Sequence, residues 1–206
     1  MRIGVVTIRQ QSGESGGAER FYDGLVASLR ALGHETRELA LHTDESSLEG
    51  VKRSYLQAYD LDVSGYDLVV STKAPSWLVR HPNHVCWLVH TMRVFYDMFD
   101  DVFPGADASV QAQRQLVHDL DTGALSPPRC RAVLSIGAEV SRRETGWFAD
   151  SAVVFRRSII ITASATVAVG ISTRVSAITS GASAITSCST SSTSPLANPH
   201  GSSRFR

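Results

Sequence analysis

The hydrophobic residues of this chain fall into short runs that alternate with stretches of helical periodicity. After the first run, apolar residues recur at three- and four-residue spacing up to Leu32, and Gly33 stands where a helix ends. Segments 106–125 and 138–145 show the same helical spacing. The runs themselves are typical of buried strands and occupy residues 2–8, 35–41, 66–72, 84–90, 131–136 and 151–155.

Strands that alternate with helices in this way indicate a parallel sheet covered by helices on both faces. We therefore expect residues 1–155 to form one doubly wound α/β domain with a Rossmann-like parallel sheet. Ligands of such sheets bind at the carboxyl ends of the strands, so the loops that follow the strands are the places to search for a site.

The chain changes character after residue 155. All twenty Asp and Glu residues lie at or before Asp150, and beyond Arg157 the charged residues are Arg174, Arg204 and Arg206. A Ser-, Thr- and Ala-rich tail at 156–206 is not expected to form an independent domain. Its uncharged stretch 158–173 is short and rich in hydroxyls, whereas a membrane span needs about 20 apolar residues.

Composition narrows the class of partner and the compartment. The formal net charge of +0 gives no electrostatic reason to expect nucleic acid, and a small or carbohydrate-like ligand fits better. Cys86, Cys130 and Cys188 are odd in number and have no metal-ligand spacing. This pattern favours a reducing compartment over a disulfide framework and predicts a cytoplasmic protein.

The loop after the first strand, SGESGGAERF at 12–21, is a candidate phosphate-binding loop. Gly16 and Gly17 directly precede a predicted helix, so their amides and the positive end of the helix dipole favour a phosphate. A flexible connection without a ligand is the alternative.

The same loop gives little support for a nicotinamide enzyme. Its pattern G-x-x-G-G is not the G-x-G-x-x-G dinucleotide fingerprint. The chief support is Glu38, which lies near the offset of about 20 residues from the glycines at which an acidic residue binds the ribose.

A second polar cluster lies in HPNHVCWLVHTMRVFYD, residues 81–97, where a buried strand is expected to end in His90. His90 suits a sugar hydroxyl or charge at a reacting centre, Arg93 suits a phosphate, and Asp97 can orient either of them. The alternative makes His90 a hydrogen-bonded residue at a strand end, with Phe95 and Tyr96 in the packing.

Three segments together resemble the N-terminal domain of group 1, family 4 glycosyltransferases of the GT-B fold. They are GGAERF, YDLVVSTKAPSWLVRHPNHVCWLVHTMRVFYD, and LSIGAEVSRR followed by VVF. The most specific part is T-K-x-P-S-x-L-V-R-H-P-N, a strand and then H-x-x-R-x-x-Y-D, which recurs in bacterial members that act on cell-surface polysaccharides. The resemblance covers about the first 155 residues.

The resemblance implies a metal-independent, retaining transfer of a sugar from a nucleotide diphosphate sugar to a carbohydrate or lipid-linked acceptor. No cofactor is implied beyond the donor substrate itself, and peripheral association with the inner face of the membrane is compatible with a lipid-linked acceptor. By the resemblance, Gly16 and Gly17 approach the donor diphosphate and His90 lies beside the transferred sugar. The residues implied for the acceptor side are Arg93, Tyr96 and Asp97.

One departure from the family bears directly on activity. The family's second domain supplies a basic pair for the diphosphate and paired glutamates for the donor sugar and ribose, and no acidic residue follows Asp150 here. The chain is therefore expected to be a truncated transferase that is inactive alone. A nicotinamide-dependent oxidoreductase and a non-catalytic α/β binding module remain the alternatives.

The junction at Phe155 predicts a frameshift. The family continues with a Pro-Pro pair, whereas this chain reads Phe155-Arg156-Arg157-Ser158-Ile159. The codons TTC-CCG-CCG-CTC-CAT, minus one C, read TTC-CGC-CGC-TCC-AT, which encodes Phe-Arg-Arg-Ser and the start of Ile. Restoring one C at this junction is expected to reopen a frame beginning Phe-Pro-Pro-Leu-His and leading into a donor domain, which the nucleotide sequence checks. A restored frame that stops promptly would favour a natural low-complexity tail.

Overall fold

The computed structural model describes residues 1–9, 16–45, 47–149, 151–153 and 155–156. All strand pairs in it are parallel. They form one sheet in the order β2-β1-β3-β4-β5-β6, and the doubly wound, Rossmann-like fold expected from the sequence is confirmed. The strands are β1 (Arg2–Ile8), β2 (Glu35–Leu41), β3 (Leu68–Ser71), β4 (His84–Leu88), β5 (Val133–Ser135) and β6 (Phe155–Arg156).

The tail at 157–206 lies outside the described residues, and the domain boundary at 155 stays a prediction.

Helices cover both faces of the sheet. They are α1 (Gly17–Ala31), α2 (Leu48–Tyr59), α3 (Phe99–Val102), α4 (Ala108–Leu125) and α5 (Ala138–Trp147). Helix α1 buries Leu25 and Leu29 against one face. Helices α2 and α4 bury Tyr55 and Leu125 in a larger apolar cluster on the other. The strand order explains this division. The connection from β1 to β2 and the connection from β2 to β3 run in opposite directions across the sheet, and right-handed crossovers in opposite directions place their helices on opposite faces.

Most strands are shorter than the hydrophobic runs that predicted them. Strand β4 ends at Leu88, so the prediction that it ends in His90 is wrong by two residues. The amide of Val89 still donates to the carbonyl of Thr72 at 3.1 Å, and the amide of Ala74 donates to the carbonyl of His90 at 3.3 Å. The hydrophobic pattern cannot distinguish such irregular pairing between loops from a regular ladder.

The helix signals were more reliable than the strand ends. Helix α1 begins at Gly17, one residue before the predicted start, and Gly33 follows its end with φ of 80°. A positive φ is accessible to glycine without steric cost, which is why glycine stands at this helix end. The sixth strand, expected at 151–155, is described as Phe155–Arg156.

A buried aspartate ties the helical layer on the larger face together. Asp121 of α4 is 0% exposed. Its Oδ1 accepts hydrogen bonds from the Tyr55 hydroxyl at 3.0 Å and from the Trp77 indole at 2.8 Å, and its Oδ2 accepts one from the Tyr96 hydroxyl at 2.8 Å. A buried carboxylate is tolerated where hydrogen bonds replace the lost water. These three donors come from α2, from the 3₁₀ turn Ser76–Leu78 and from the segment after β4.

Asp121→Ala is expected to lower the free energy of unfolding by about 3 kcal/mol or more, because three buried donors lose their acceptor at roughly 1–3 kcal/mol each. Denaturant titration measures the change. Asp119→Ala on the same helix is the matched control, since Asp119 is exposed and accepts a hydrogen bond from Gln115; it should stay within about 0.5 kcal/mol of the unsubstituted chain. Equal losses in the two variants would contradict the role of Asp121.

Candidate functional site

The carboxyl ends of the parallel strands lie at one edge of the sheet, and most of the chemistry-bearing residues follow strands there. Gly16 and Gly17 come after β1, whereas His90, Arg93 and Asp97 come after β4. Strand β3 lies between β1 and β4. The chain leaves β1 for one side of the sheet and later continues on the other, so the crevice between β1 and β3 is the topological switch point where open α/β sheets bind ligands.

The two glycines differ in what surrounds them. Gly16 is the N-cap of α1, and its amide donates to the carboxylate of Glu19 at 2.9 Å. That carboxylate already occupies the amide of Gly16. Among the described residues, which exclude 10–15, no heavy atom lies within 4 Å of a Cβ added to Gly17. Of the two glycines, Gly17 is therefore the one whose backbone no described residue covers.

His90 presents one ring nitrogen as a hydrogen-bond acceptor. Its Nδ1 lies 2.8 Å from the carbonyl oxygen of Thr91. A carbonyl only accepts, so Nδ1 carries the proton, and in the neutral ring Nε2 bears the lone pair. Burial holds the pKa of His90 below its usual range; the charges of Lys73 and Arg143 lower this pKa further, while the Thr91 hydrogen bond and Glu45 oppose the shift. At neutral pH the ring can accept a hydrogen bond from a hydroxyl.

Arg93 and Asp97 form an ion pair beside His90 in sequence. The Nε and Nη2 atoms of Arg93 donate to Oδ2 of Asp97 at 3.0 and 2.8 Å. Nη1 of Arg143 lies 3.9 Å from the same oxygen. Hydrogen bonding from Arg93 holds the pKa of Asp97 below its usual range. This carboxylate stays ionised at neutral pH and keeps two guanidinium groups near each other at the rim of the site.

Tyr96 is buried, whereas the side chains of Arg93 and Asp97 are partly exposed. It is 2% exposed, and its hydroxyl is engaged by Asp121. Its ring stacks on His118 with centroids 4.3 Å apart and meets Trp147 edge-on at 5.4 Å. The structure thus places Tyr96 in the packing, the alternative left open by the sequence, and corrects the expectation that it contacts an acceptor.

Lys73 is a residue of this edge that the sequence did not single out. It follows β3 directly after Thr72, and its side chain is 18% exposed. Its Nζ lies 3.3 Å from Oε1 of Glu45, which precedes α2. The sequence feature that points to Lys73 is its place directly after a buried strand, within the T-K-x-P motif.

Glu38 is engaged within the protein. Its Oε1 accepts from the Thr7 hydroxyl and from Nε of Arg9, each at 2.6 Å, and its Oε2 accepts from Nη2 of Arg9 at 3.0 Å. Burial alone would raise the pKa of Glu38, but the hydrogen bonds from Arg9 and Thr7 bring it below its usual range. The residue also lies inside β2, opposite Val5. A ribose diol would have to displace Arg9, which weakens the main support for a nicotinamide site.

An apolar groove lies between α2 and α4, on the face of the sheet that these helices cover. It encloses about 380 Å³, its lining surface is apolar, and Leu56, Tyr59, Leu116 and Leu120 border it. A specific small-molecule site needs convergent polar groups among its apolar walls. This groove does not supply them, so the carboxyl edge remains the candidate site.

Comparison of the chain with protein-family models, with curated proteins and with solved structures finds no match in any of the three. Within the described residues, no helix has the length and apolar character needed to cross a bilayer. In the same part of the chain, no group of three or more His, Cys, Asp or Glu residues is arranged to hold a metal ion. Cys86 and Cys130 are both buried and unbridged.

The electrostatic surroundings of His90 can be tested directly. Lys73→Met is expected to raise the pKa of His90 because a nearby positive charge is removed, and Glu45→Gln is expected to lower it because a negative charge is removed. A pH titration of the His90 ring protons by NMR measures both shifts. Lys52→Met, on the exposed face of α2, serves as the control and should leave the pKa unchanged. Shifts of the same sign in the Lys73 and Glu45 variants would contradict this arrangement.

Proposed function

We propose that this chain is the acceptor-side, N-terminal half of a nucleotide-sugar-dependent glycosyltransferase of the GT-B type, unable to transfer sugar by itself. The observation that carries the proposal is the state of His90: burial lowers its pKa, and its Nδ1 is held by Thr91, so Nε2 is presented as an acceptor. A sugar hydroxyl can donate a hydrogen bond to such an acceptor. The resemblance of the surrounding segments to family 4 supports the same assignment.

Each part of the edge has a role in this proposal. The donor diphosphate approaches the amide at Gly17, where the helix dipole favours an anion. His90 accepts a hydrogen bond from a hydroxyl of the transferred sugar or the acceptor. The pair of Arg93 and Asp97 shapes the acceptor side. No cofactor or metal takes part, and a lipid-linked acceptor would bring the protein to a membrane surface.

Turnover requires more than this edge supplies. Negative charge develops on the leaving nucleotide diphosphate, and preorganised donors must stabilise it from both sides of the cleft. In the family, the second domain provides a basic pair for that purpose and glutamates for the ribose and the donor sugar. The sequence after Asp150 contains no acidic residue to replace those glutamates. We therefore propose binding without transfer.

The two alternatives predict different ligands. A nicotinamide-dependent oxidoreductase would bind NAD, although Arg9 and Thr7 already occupy the carboxylate of Glu38. A non-catalytic binding module would bind neither a nucleotide sugar nor NAD. Saturation-transfer NMR on the chain, with a uridine diphosphate sugar and NAD as probes, separates the three. Saturation of NAD without saturation of the nucleotide sugar would overturn our proposal.

Gly17→Val is expected to weaken nucleotide-sugar binding about tenfold, a loss of roughly 1.4 kcal/mol, because a side chain would hold the diphosphate away from the helix amides. Titration calorimetry or NMR measures the affinity. Gly24→Val is the matched control, since Gly24 also lies in α1 with open space around its Cβ position and is remote from the helix start. Equal affinities of the two variants would mean that the diphosphate does not contact Gly17.

A further inference from the structure

We propose that Lys73 is the anion-binding residue of the switch-point crevice and that it holds a phosphate or carboxylate group of the acceptor beside the hydroxyl bound by His90. The assignment to an acceptor rests on the proposed function. The anion site itself rests on the position, rigidity and charge of the loop after β3.

The position of Lys73 is the first support. It lies two residues beyond Ser71, the last residue of β3, and β3 borders β1 at the switch point. The adjacent residue Ala74 donates its amide to the carbonyl of His90 at 3.3 Å. The chain segments that carry Lys73 and His90 are therefore in contact at the edge where ligands of such sheets bind.

The rigidity of the loop is the second support. The Thr72 hydroxyl donates to the carbonyl of Val6 in β1 at 2.9 Å, and the Thr72 amide donates to the Ser76 hydroxyl at 2.8 Å. The Ser76 amide donates in turn to the carbonyl of Lys73 at 2.8 Å. Thr72, Ala74 and Ser76 are each 0% exposed. The backbone of Lys73 is thus fixed to β1 on one side and to the His90 segment on the other, and such preorganisation favours ligand binding.

The charge of Lys73 is the third support. Lysine side chains are rarely buried, yet this one is 18% exposed. Within the described chain, Glu45 is the hydrogen-bond partner of its ammonium, at 3.3 Å, which is longer than the roughly 2.7–2.9 Å of a strong charge-assisted bond. An ammonium has three donors. A ligand anion can therefore approach this group without breaking a tight ion pair.

The neighbouring groups define the chemical class of the ligand. A lysine ammonium binds phosphate or carboxylate as a point charge. His90 offers its acceptor nitrogen to a hydroxyl. The fitting ligand is a sugar that carries an anionic group near a hydroxyl, and the anion can be a phosphate ester or the carboxylate of an acidic sugar.

Three probes distinguish these sources: glucose 1-phosphate, glucuronate and glucose, each titrated into the 206-residue chain and followed by NMR. We expect at least one of the two anions to bind with a dissociation constant of about 10 mM or lower, and to bind more tightly than glucose. A preference for glucose 1-phosphate would identify a phosphate acceptor, and a preference for glucuronate an acidic sugar. Failure of both anions to bind better than glucose would overturn the proposal.

Variants locate the binding to Lys73. Lys73→Met should weaken binding of the preferred anion about tenfold, while Lys73→Arg should retain most of it. Lys52→Met, which removes an exposed lysine paired with Glu49, should bind like the unsubstituted chain. Glu45→Gln removes the competing carboxylate and should strengthen anion binding several-fold. An unchanged affinity in either Lys73→Met or Glu45→Gln would overturn the proposal.

The outcomes also separate this inference from the proposed function. Anion binding that depends on Lys73, together with no saturation transfer to a nucleotide sugar, would keep the anion site and reject the transferase assignment. Nucleotide-sugar binding that depends on Gly17, together with anion binding that is unchanged by substitution of Lys73, would keep the transferase assignment and reject the anion site.

Discussion

The packing of helices and turns on the sheet face that carries the larger apolar cluster depends on one buried carboxylate. Asp121 accepts hydrogen bonds from Tyr55, Trp77 and Tyr96, which belong to three separate parts of the chain. Its desolvation is offset because all three donors converge on it, so the helices and turns that supply them must pack in one arrangement. Tyr96 directly follows the 3₁₀ turn that begins at Arg93, so its hydrogen bond to Asp121 anchors the segment that carries Arg93.

The parallel sheet supplies the second constraint. Because β1, β3 and β4 run in the same direction, the loops that follow them meet at one edge whatever their sequences. This places the open backbone at Gly17, the ammonium of Lys73 and the acceptor nitrogen of His90 on the same side of the molecule. The apolar groove between α2 and α4 lies on a sheet face and lacks comparable polar groups.

The sequence predicted the sheet and its helices because hydrophobic periodicity reports which face of an element is buried. It could not show that Tyr96 hydrogen-bonds to Asp121 or that Arg9 pairs with Glu38, because the partners are 25 and 29 residues apart in the chain. Polar residues of these types occur in binding sites as often as in such internal pairs. For a related reason, the sequence does not mark Lys73. Its importance comes from the buried loop that fixes it, which is a property of tertiary contacts.

We propose that the carboxyl edge of the sheet is the binding site of a nucleotide sugar. Mapping the amide chemical-shift changes in the ¹⁵N-labelled chain on addition of a uridine diphosphate sugar tests it most directly. We expect the largest changes at Gly17, beside the diphosphate, and at His90, beside the transferred sugar. Changes centred on Leu56 and Leu120 in the apolar groove, or no changes at saturating ligand, would contradict it.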